Sequence, residues 1–208
     1  MVDSVLFDLD GTLWDAIPGI TRTWNKALSD LGIQKTCTEQ EVRSYMGMTL
    51  DKICSSMIGE EDPEKIQRLF DAISDWETRC ITLDGASLYP DERETLALLA
   101  RRCRLFIVSN CGRGYIERFL DLFDLGRFFT DHECFGGTGL SKGENIKIVC
   151  RRNALVSPVY VGDTLGDQLA ALHAGVPFIH AAYGFGEAVS PDHVLFDFRQ
   201  LPVLLERL

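Results

Sequence analysis

Short apolar runs that end in polar, chemistry-bearing residues, with helix-patterned segments between them, constrain this chain more than anything else in it. Val5-Leu6-Phe7 runs into Asp8-Leu9-Asp10-Gly11-Thr12. Leu105-Phe106-Ile107-Val108 runs into Ser109-Asn110, and Val159-Tyr160-Val161 into Gly162-Asp163, with Asp167 just beyond. Phe128 through Phe135 and Pro177-Phe178-Ile179-His180 supply two further strand-like stretches. Helical patterns over 91–102, about 114–123, 141–153 and about 165–174 lie between them. Helices alternating with short apolar strands are the pattern of parallel βαβ units. The fold class expected is α/β, with a doubly wound parallel sheet.

The stretch after the first strand is different. From Pro18 to about Leu31 the residues Ile20, Trp24, Ala27, Leu28 and Leu31 recur at helical spacing, and Gly32 suits the helix end. Thr38 followed by Glu41 forms a capping box, and Pro63 opens a long helix carrying Ile66, Leu69, Phe70, Ile73 and Trp76 on one face. Nothing between 15 and 82 reads as a buried strand. The expected organisation is therefore a core of residues 1–14 and 83–208, with an all-helical cap inserted over 15–82.

At 208 residues the chain is long enough to bury a core without staples. Its net charge of −10 opposes nucleic-acid binding, which draws its affinity from Lys and Arg neutralising phosphates, and it also opposes an anionic membrane. A phosphorylated metabolite is compatible, because one well-placed cation outweighs distant surface charge that salt screens. The seven cysteines are scattered without a C-x-x-C pair, which disfavours a disulfide framework and a zinc site. With no signal-peptide pattern and no run of membrane-spanning length, a cytoplasmic location is expected.

In open parallel sheets, ligands bind at the carboxyl ends of the strands. There the pattern gathers Asp8, Asp10, Asp163 and Asp167, with Ser109 and Asn110 nearby and Lys142 opening the helix before the Val159 strand. Each taken singly reads equally well as a cap, a turn or a surface charge. Together, four carboxylates repel one another in one crevice unless a hard divalent cation and a lysine relieve them. An acidic, metallated site that also has a lysine and hydroxyl and amide donors suits phosphate.

In order and context, Asp8-Leu9-Asp10-Gly11-Thr12-Leu13, Val108-Ser109-Asn110, Ser141-Lys142-Gly143 and Val161-Gly162-Asp163-Thr164-Leu165-Gly166-Asp167 resemble the motifs of the haloacid dehalogenase superfamily of phosphohydrolases. The likeness is to its phosphoglycolate-phosphatase-like branch with a helical cap, and it covers essentially the whole chain. The resemblance implies a Rossmann-like core, a Mg²⁺ cofactor and a small phosphorylated metabolite as substrate. It implies that Asp8 is the nucleophile and a metal ligand, and that Asp10 is the general acid/base whose backbone carbonyl also touches the metal. It further implies that Ser109 and Asn110 bind the phosphoryl group, that Lys142 neutralises Asp8 and phosphate, and that Asp163 and Asp167 hold the metal. The name-giving dehalogenases are similar in the nucleophile but lack the second aspartate, since a halide needs no proton.

The cap is expected to set specificity. Gly47 resembles the glycine of a substrate-covering loop, and is equally an ordinary turn glycine. Arg22, Arg43 and Lys52 are cap cations suited to a substrate carboxylate or second phosphate, or else solvated surface charges. Related enzymes often carry a lysine soon after the serine–asparagine pair, where this chain has Cys111-Gly112-Arg113-Gly114. That departure leaves the substrate open. Alternatives are a sugar phosphomutase, a phosphonate hydrolase using Lys52 in a Schiff base, and a catalytically silent binding protein; the oligomeric state is expected to be monomer or homodimer.

Overall fold

The computed structural model describes residues 2–59 and 62–208. Its central sheet is wholly parallel, with six strands: β1 (Ser4–Phe7), β4 (Arg104–Ser109), β5 (Phe129–Cys134), β6 (Pro158–Gly162), β7 (Phe178–Ala181) and β8 (His193–Leu195). The spatial order is β5-β4-β1-β6-β7-β8. β1 is central, and the winding reverses across it. Such a switch point opens a crevice at the strand ends.

Side-chain alternation along the strands makes the sheet two-faced. Val5, Phe7, Leu105, Ile107 and Val161 face one way, into a core completed by α5 (Glu92–Leu99), α6 (Tyr115–Leu122) and α10 (Leu201–Leu205). Leu6, Phe106, Val108 and Tyr160 face the other way, against α8 (Lys142–Arg152) and α9 (Leu165–Ala174). A short α7 (Phe135–Thr138) follows β5. The helix expected over 91–102 is shorter, because residues 100–102 leave the helix in a hydrogen-bonded turn before β4.

Between β1 and β4 lie four helices: α1 (Ile17–Asp30), α2 (Glu39–Tyr45), α3 (Leu50–Ile58) and α4 (Pro63–Cys80). The capping box is present, with Thr38 Oγ1 accepting from Glu41 N–H at 3.2 Å while Glu41 accepts from Thr38 N–H at 2.8 Å. The expected face of α4 packs against the core, with Leu69 and Ile73 buried and Ile66, Phe70 and Trp76 partly buried, and Glu77 is buried beside it. Trp76 donates its indole N–H to Asp30. One element was not anticipated. β2 (Trp14–Asp15) pairs antiparallel with β3 (Ser87–Leu88), joining the two chain crossings between sheet and helices. β8 also escaped the sequence pattern. All seven cysteines are free, with Cys37, Cys54 and Cys134 buried and Cys80 exposed. Among the described residues no helix is long and apolar enough to cross a membrane.

Candidate active site

Register alone brings the first motif to its neighbours. Phe7 pairs with Ile107 on one side and Val161 on the other, so Asp8, Ser109 and Asp163 emerge at one edge of the sheet. Asp8 N–H still donates to Val161 O at 2.8 Å, which holds the carboxylate at the strand end. Gly11 then turns the chain sharply at φ +84°, and a Cβ there would sit 2.3 Å from Asp163 Oδ2. Only glycine allows that approach. Tyr183 O–H and Tyr89 O–H bind the carbonyls of Thr12 and Gly11 and fix the loop from behind.

Lys142 joins the acidic groups. Its Nζ donates to Asp8 Oδ1 at 2.7 Å and to Asp167 Oδ1 at 2.6 Å, all three side chains being almost wholly buried. Burial alone would push the ammonium down, but Asp167 and Asp8 outweigh it and hold the pKa above its usual value. Burial, with Asp167 and Asp163 nearby, lifts Asp8 in the opposite sense to Lys142's pull. Thr164, not Asp163, caps α9, accepting from Asp167 N–H and donating to Asp167 Oδ2. Asp163 is thereby left free to face the crevice. Its Oδ2 accepts from Phe185 N–H at 2.7 Å and Gly186 N–H at 3.3 Å, while its buried Oδ1 has no partner among the described residues. His180 is buried with Nε2 3.0 Å from Asp163 O.

Asp8, Asp163 and Asp167 each offer an oxygen within 4.8 Å of the others. An all-carboxylate donor set, including one buried orphan oxygen, fits a hard divalent cation. Asp163 has the free oxygen, whereas both Asp167 oxygens already accept hydrogen bonds.

Asp10 stands apart from this cluster. Its Oδ1 accepts from Tyr115 O–H at 2.8 Å and Trp14 Nε1–H at 2.9 Å. Burial raises it to about 6 against the pull of those two donors. Neither donor was assigned to the site from sequence. In sequence Trp14 looks like an apolar residue after the first motif, and Tyr115 like any buried helical residue.

Four core positions, Asp8, Asp10, Ser109 and Lys142, line one cavity of about 40 Å³ with Asn110 and Gly47 at its side. Asn110, expected on the phosphoryl group, spends its side-chain N–H₂ on Gly47 O at 2.9 Å. The helical unit is thus latched to the core through Gly47, which holds φ +86° against Thr164. The cap cations are not in this cavity. Arg22 is exposed and 3.9 Å from Asp84, and Arg43 reaches Asp15 at 3.3 Å and lies over the Phe185 ring. Lys52 is exposed at an adjoining groove, which shares Gly47, Met48, Asn110 and Lys142 with the cavity.

What the helices contribute instead is Glu77. It lies on the buried face of α4, lines the cavity, and accepts from Trp24 Nε1–H at 2.6 Å. A signal existed in the sequence, since Glu77 follows Leu69 and Ile73 at intervals of four. Burial raises Glu77 to about 8, with Asp10 adding to the rise. The folded state thus favours the protonated form, so the group's contribution is intact below its ordinary 4.5 and is lost as pH rises toward 8. Glu77→Gln removes the titration. In thermal melts at a series of pH values, the variant is expected to gain stability relative to wild type between about 4.5 and 8 and to level off beyond. Equal pH profiles would show that Glu77 is not held neutral.

A parallel sheet wound on both faces, with acidic strand ends and a helical unit over them, is the architecture of a phosphoryl-handling hydrolase. The chain belongs to the haloacid dehalogenase-like hydrolases, whose family model matches residues 5–181. It is similar to phosphoglycolate phosphatase of Rhodobacter capsulatus, at 30% identity over 99% of this chain and 98% of the relative. It is also similar to phosphoglycolate phosphatase of Aliivibrio fischeri, at 29% identity over 97% of this chain and 95% of the other. The crystal structure of a predicted phosphatase from Clostridium acetobutylicum superposes with a TM-score of 0.87 over 100% of both chains at 22% identity, a likeness of fold. The protein is a phosphoric monoester hydrolase of the phosphoglycolate-phosphatase-like branch.

Proposed function

We propose that the protein is a Mg²⁺-dependent phosphatase of small phosphomonoesters that works through an aspartyl-phosphate on Asp8. The observation that carries this reading is the division of labour between two aspartates of one motif. Asp8 lies in the cluster with Asp163, Asp167 and Lys142, while Asp10 opens on the same cavity, outside the cluster and with its pKa lifted. Phosphoryl transfer needs positioning and charge stabilisation above all. A divalent ion held by Asp8, Asp163 and Asp167, with the Asp10 carbonyl, would supply charge neutralisation for phosphoryl oxygens.

In the first step an Asp8 oxygen attacks phosphorus, the ester P–O bond breaks, and Asp10 gives its proton to the departing alkoxide. Lys142 balances the charge on Asp8 and the phosphoryl oxygens, and Ser109 hydrogen-bonds them. In the second step Asp10 takes a proton from water as the water oxygen attacks phosphorus. The bond to Asp8 breaks and inorganic phosphate leaves. Trp14 and Tyr115 orient Asp10 between these roles. Residues 15–82 serve as the cap, closing over the crevice and excluding water.

Phosphate release from small esters tests this reading. Turnover is expected to need Mg²⁺, with Mn²⁺ or Co²⁺ as partial substitutes, and to stop in excess chelator. Ca²⁺ is expected to inhibit, because it accepts more oxygen ligands and looser geometry and engages both Asp8 oxygens. Full turnover in chelator would sink the proposal.

A further inference from the structure

Beside the cavity over Asp8 and Asp10 lies a groove of about 420 Å³, bordered by α3 and by the starts of α8 and α9. The two spaces meet at Gly47, Met48, Asn110 and Lys142. Lys52 and His173 line the groove and not the cavity, so they stand beyond that junction.

Three helices begin on this groove. Thr49 is the N-cap of α3, Ser141 is the N-cap of α8 with Lys142 and Gly143 in its first turn, and Gly166 lies in the first turn of α9. Each helix start carries partial positive charge and N–H groups without intrahelical partners, which favours an anion. The side chain of Thr49 does not cap α3, and its Oγ1 is buried with no partner among the described residues. A buried hydroxyl left unmet costs stability, and here it is a donor open to an acceptor that arrives with a ligand.

The full charges point the same way. Among the described residues no carboxylate lines the groove, in a chain whose net charge is −10. Of its three basic side chains, Lys142 is held by Asp8 and Asp167, and His173 lies 2.6 Å from Glu144. Lys52 alone of the three has no ion pair or hydrogen bond among the described residues. It sits in the first turn of α3, where the helix dipole disfavours a cation. That placement weakens the helix slightly, and it adds one full positive charge to three partial ones.

Resting on the phosphatase reading above, we propose that this groove is the leaving-group subsite and that Lys52 is its specificity-determining residue. The substrates it takes are phosphomonoesters whose organic part carries a second anionic group, a carboxylate or a phosphate, at the end remote from the reacting ester. With the phosphoryl group beside Asp8 and Lys142, the organic chain runs past Asn110 and Gly47. Its far anion then meets Lys52, the Thr49 hydroxyl and the helix starts.

Esters of one chain length test this: butyl phosphate, 4-phosphooxybutanoate, 1,4-butanediol bisphosphate and 4-aminobutyl phosphate, each with Mg²⁺ at low ionic strength and scored as kcat/KM. Ratios to butyl phosphate cancel any inactive fraction and any effect common to all four. The two dianionic-ended esters are expected to exceed butyl phosphate by about tenfold, and the aminobutyl ester to fall below it. Whichever of the two is faster, after halving the bisphosphate value for its two ends, names the distal group. Lys52→Met is expected to remove about fivefold of that preference, since the helix starts and Thr49 remain. Lys52→Glu is expected to reverse it and place the aminobutyl ester first. Both variants should melt like wild type, because Lys52 is exposed and has no partner to lose. Ratios near one, with added sulfate changing all four esters alike, would assign the groove to a separate anion and overturn the proposal. An anionic preference that neither Lys52 variant alters overturns it too, and either result leaves the phosphatase reading intact. Release of phosphate from none of the four, nor from an aryl phosphate, overturns the phosphatase reading and this subsite with it.

Discussion

Asp8→Asn is expected to abolish turnover on every phosphate ester, a loss on the order of 10⁴–10⁶-fold in kcat, because the carboxylate proposed to attack phosphorus is gone. The substitution should not unfold the protein. Lys142 keeps Asp167 at 2.6 Å, and removing one carboxylate from the cluster relieves repulsion within it. Asp10→Asn tests the other half of the motif and has a different signature. The nucleophile remains, while the proton donor of the first step and the base of the second are gone. General acid/base help is worth about 10²–10⁴-fold, and an acidic leaving group needs it least. With an aryl phosphate, Asp10→Asn is expected to release a burst of phenol, accumulate an acid-stable phosphoenzyme and stall. With an alkyl phosphate it should barely begin. Rapid-quench kinetics on both esters, with labelling from radioactive phosphate, read both steps. A labelled Asp8→Asn protein would falsify the covalent assignment, and wild-type rates for Asp10→Asn on both esters would refute the division of labour.

Lys142→Met is expected to damage both stability and activity. The Nζ lies between Asp8 and Asp167, all three buried, and no other cation lines the cavity among the described residues. Breaking a buried pair by removing one partner costs about 3–5 kcal/mol, since the remaining charges stay buried and uncompensated. For a chain of this length that corresponds to a fall in Tm of roughly 10 °C. Loss of charge stabilisation for the phosphoryl group is expected to lower kcat by about 10²–10³-fold. Added Mg²⁺ should raise Tm more in the variant than in wild type, because the ion is then the only neutraliser of Asp8, Asp163 and Asp167. A Lys142→Met protein that melts and turns over like wild type would show that the lysine is a bystander.

Much of the sheet and its acidic edge was legible in the sequence. The runs ending at Phe7, Val108 and Val161 form adjacent strands, and the residues after them meet at one edge. Apolar runs between helices encode parallel strands locally, and parallel pairing then aligns their ends without further instruction. Strands β2, β3 and β8 were not legible, because two or three residues carry no periodicity. On α4 the apolar face read from spacing packs against the core, but Glu77 is buried beside it, which residue type alone does not indicate.

The sequence by itself determined the α/β class, the helical insertion after the first strand, and the acidic and basic groups at the strand ends. Each of these is a matter of local pattern or of position on a strand. Only the tertiary structure decided which side chains face the reacting groups. Trp24 meets Glu77 across 53 residues, Tyr115 meets Asp10 across 105, and Asn110 meets Gly47 across 63. The same is true of the cap cations, whose carboxylate and aromatic partners draw Arg22 and Arg43 away from the cavity. A side chain's partner depends on how helices pack over the sheet, and that packing is set by the summed burial of both units, which no local window of sequence contains.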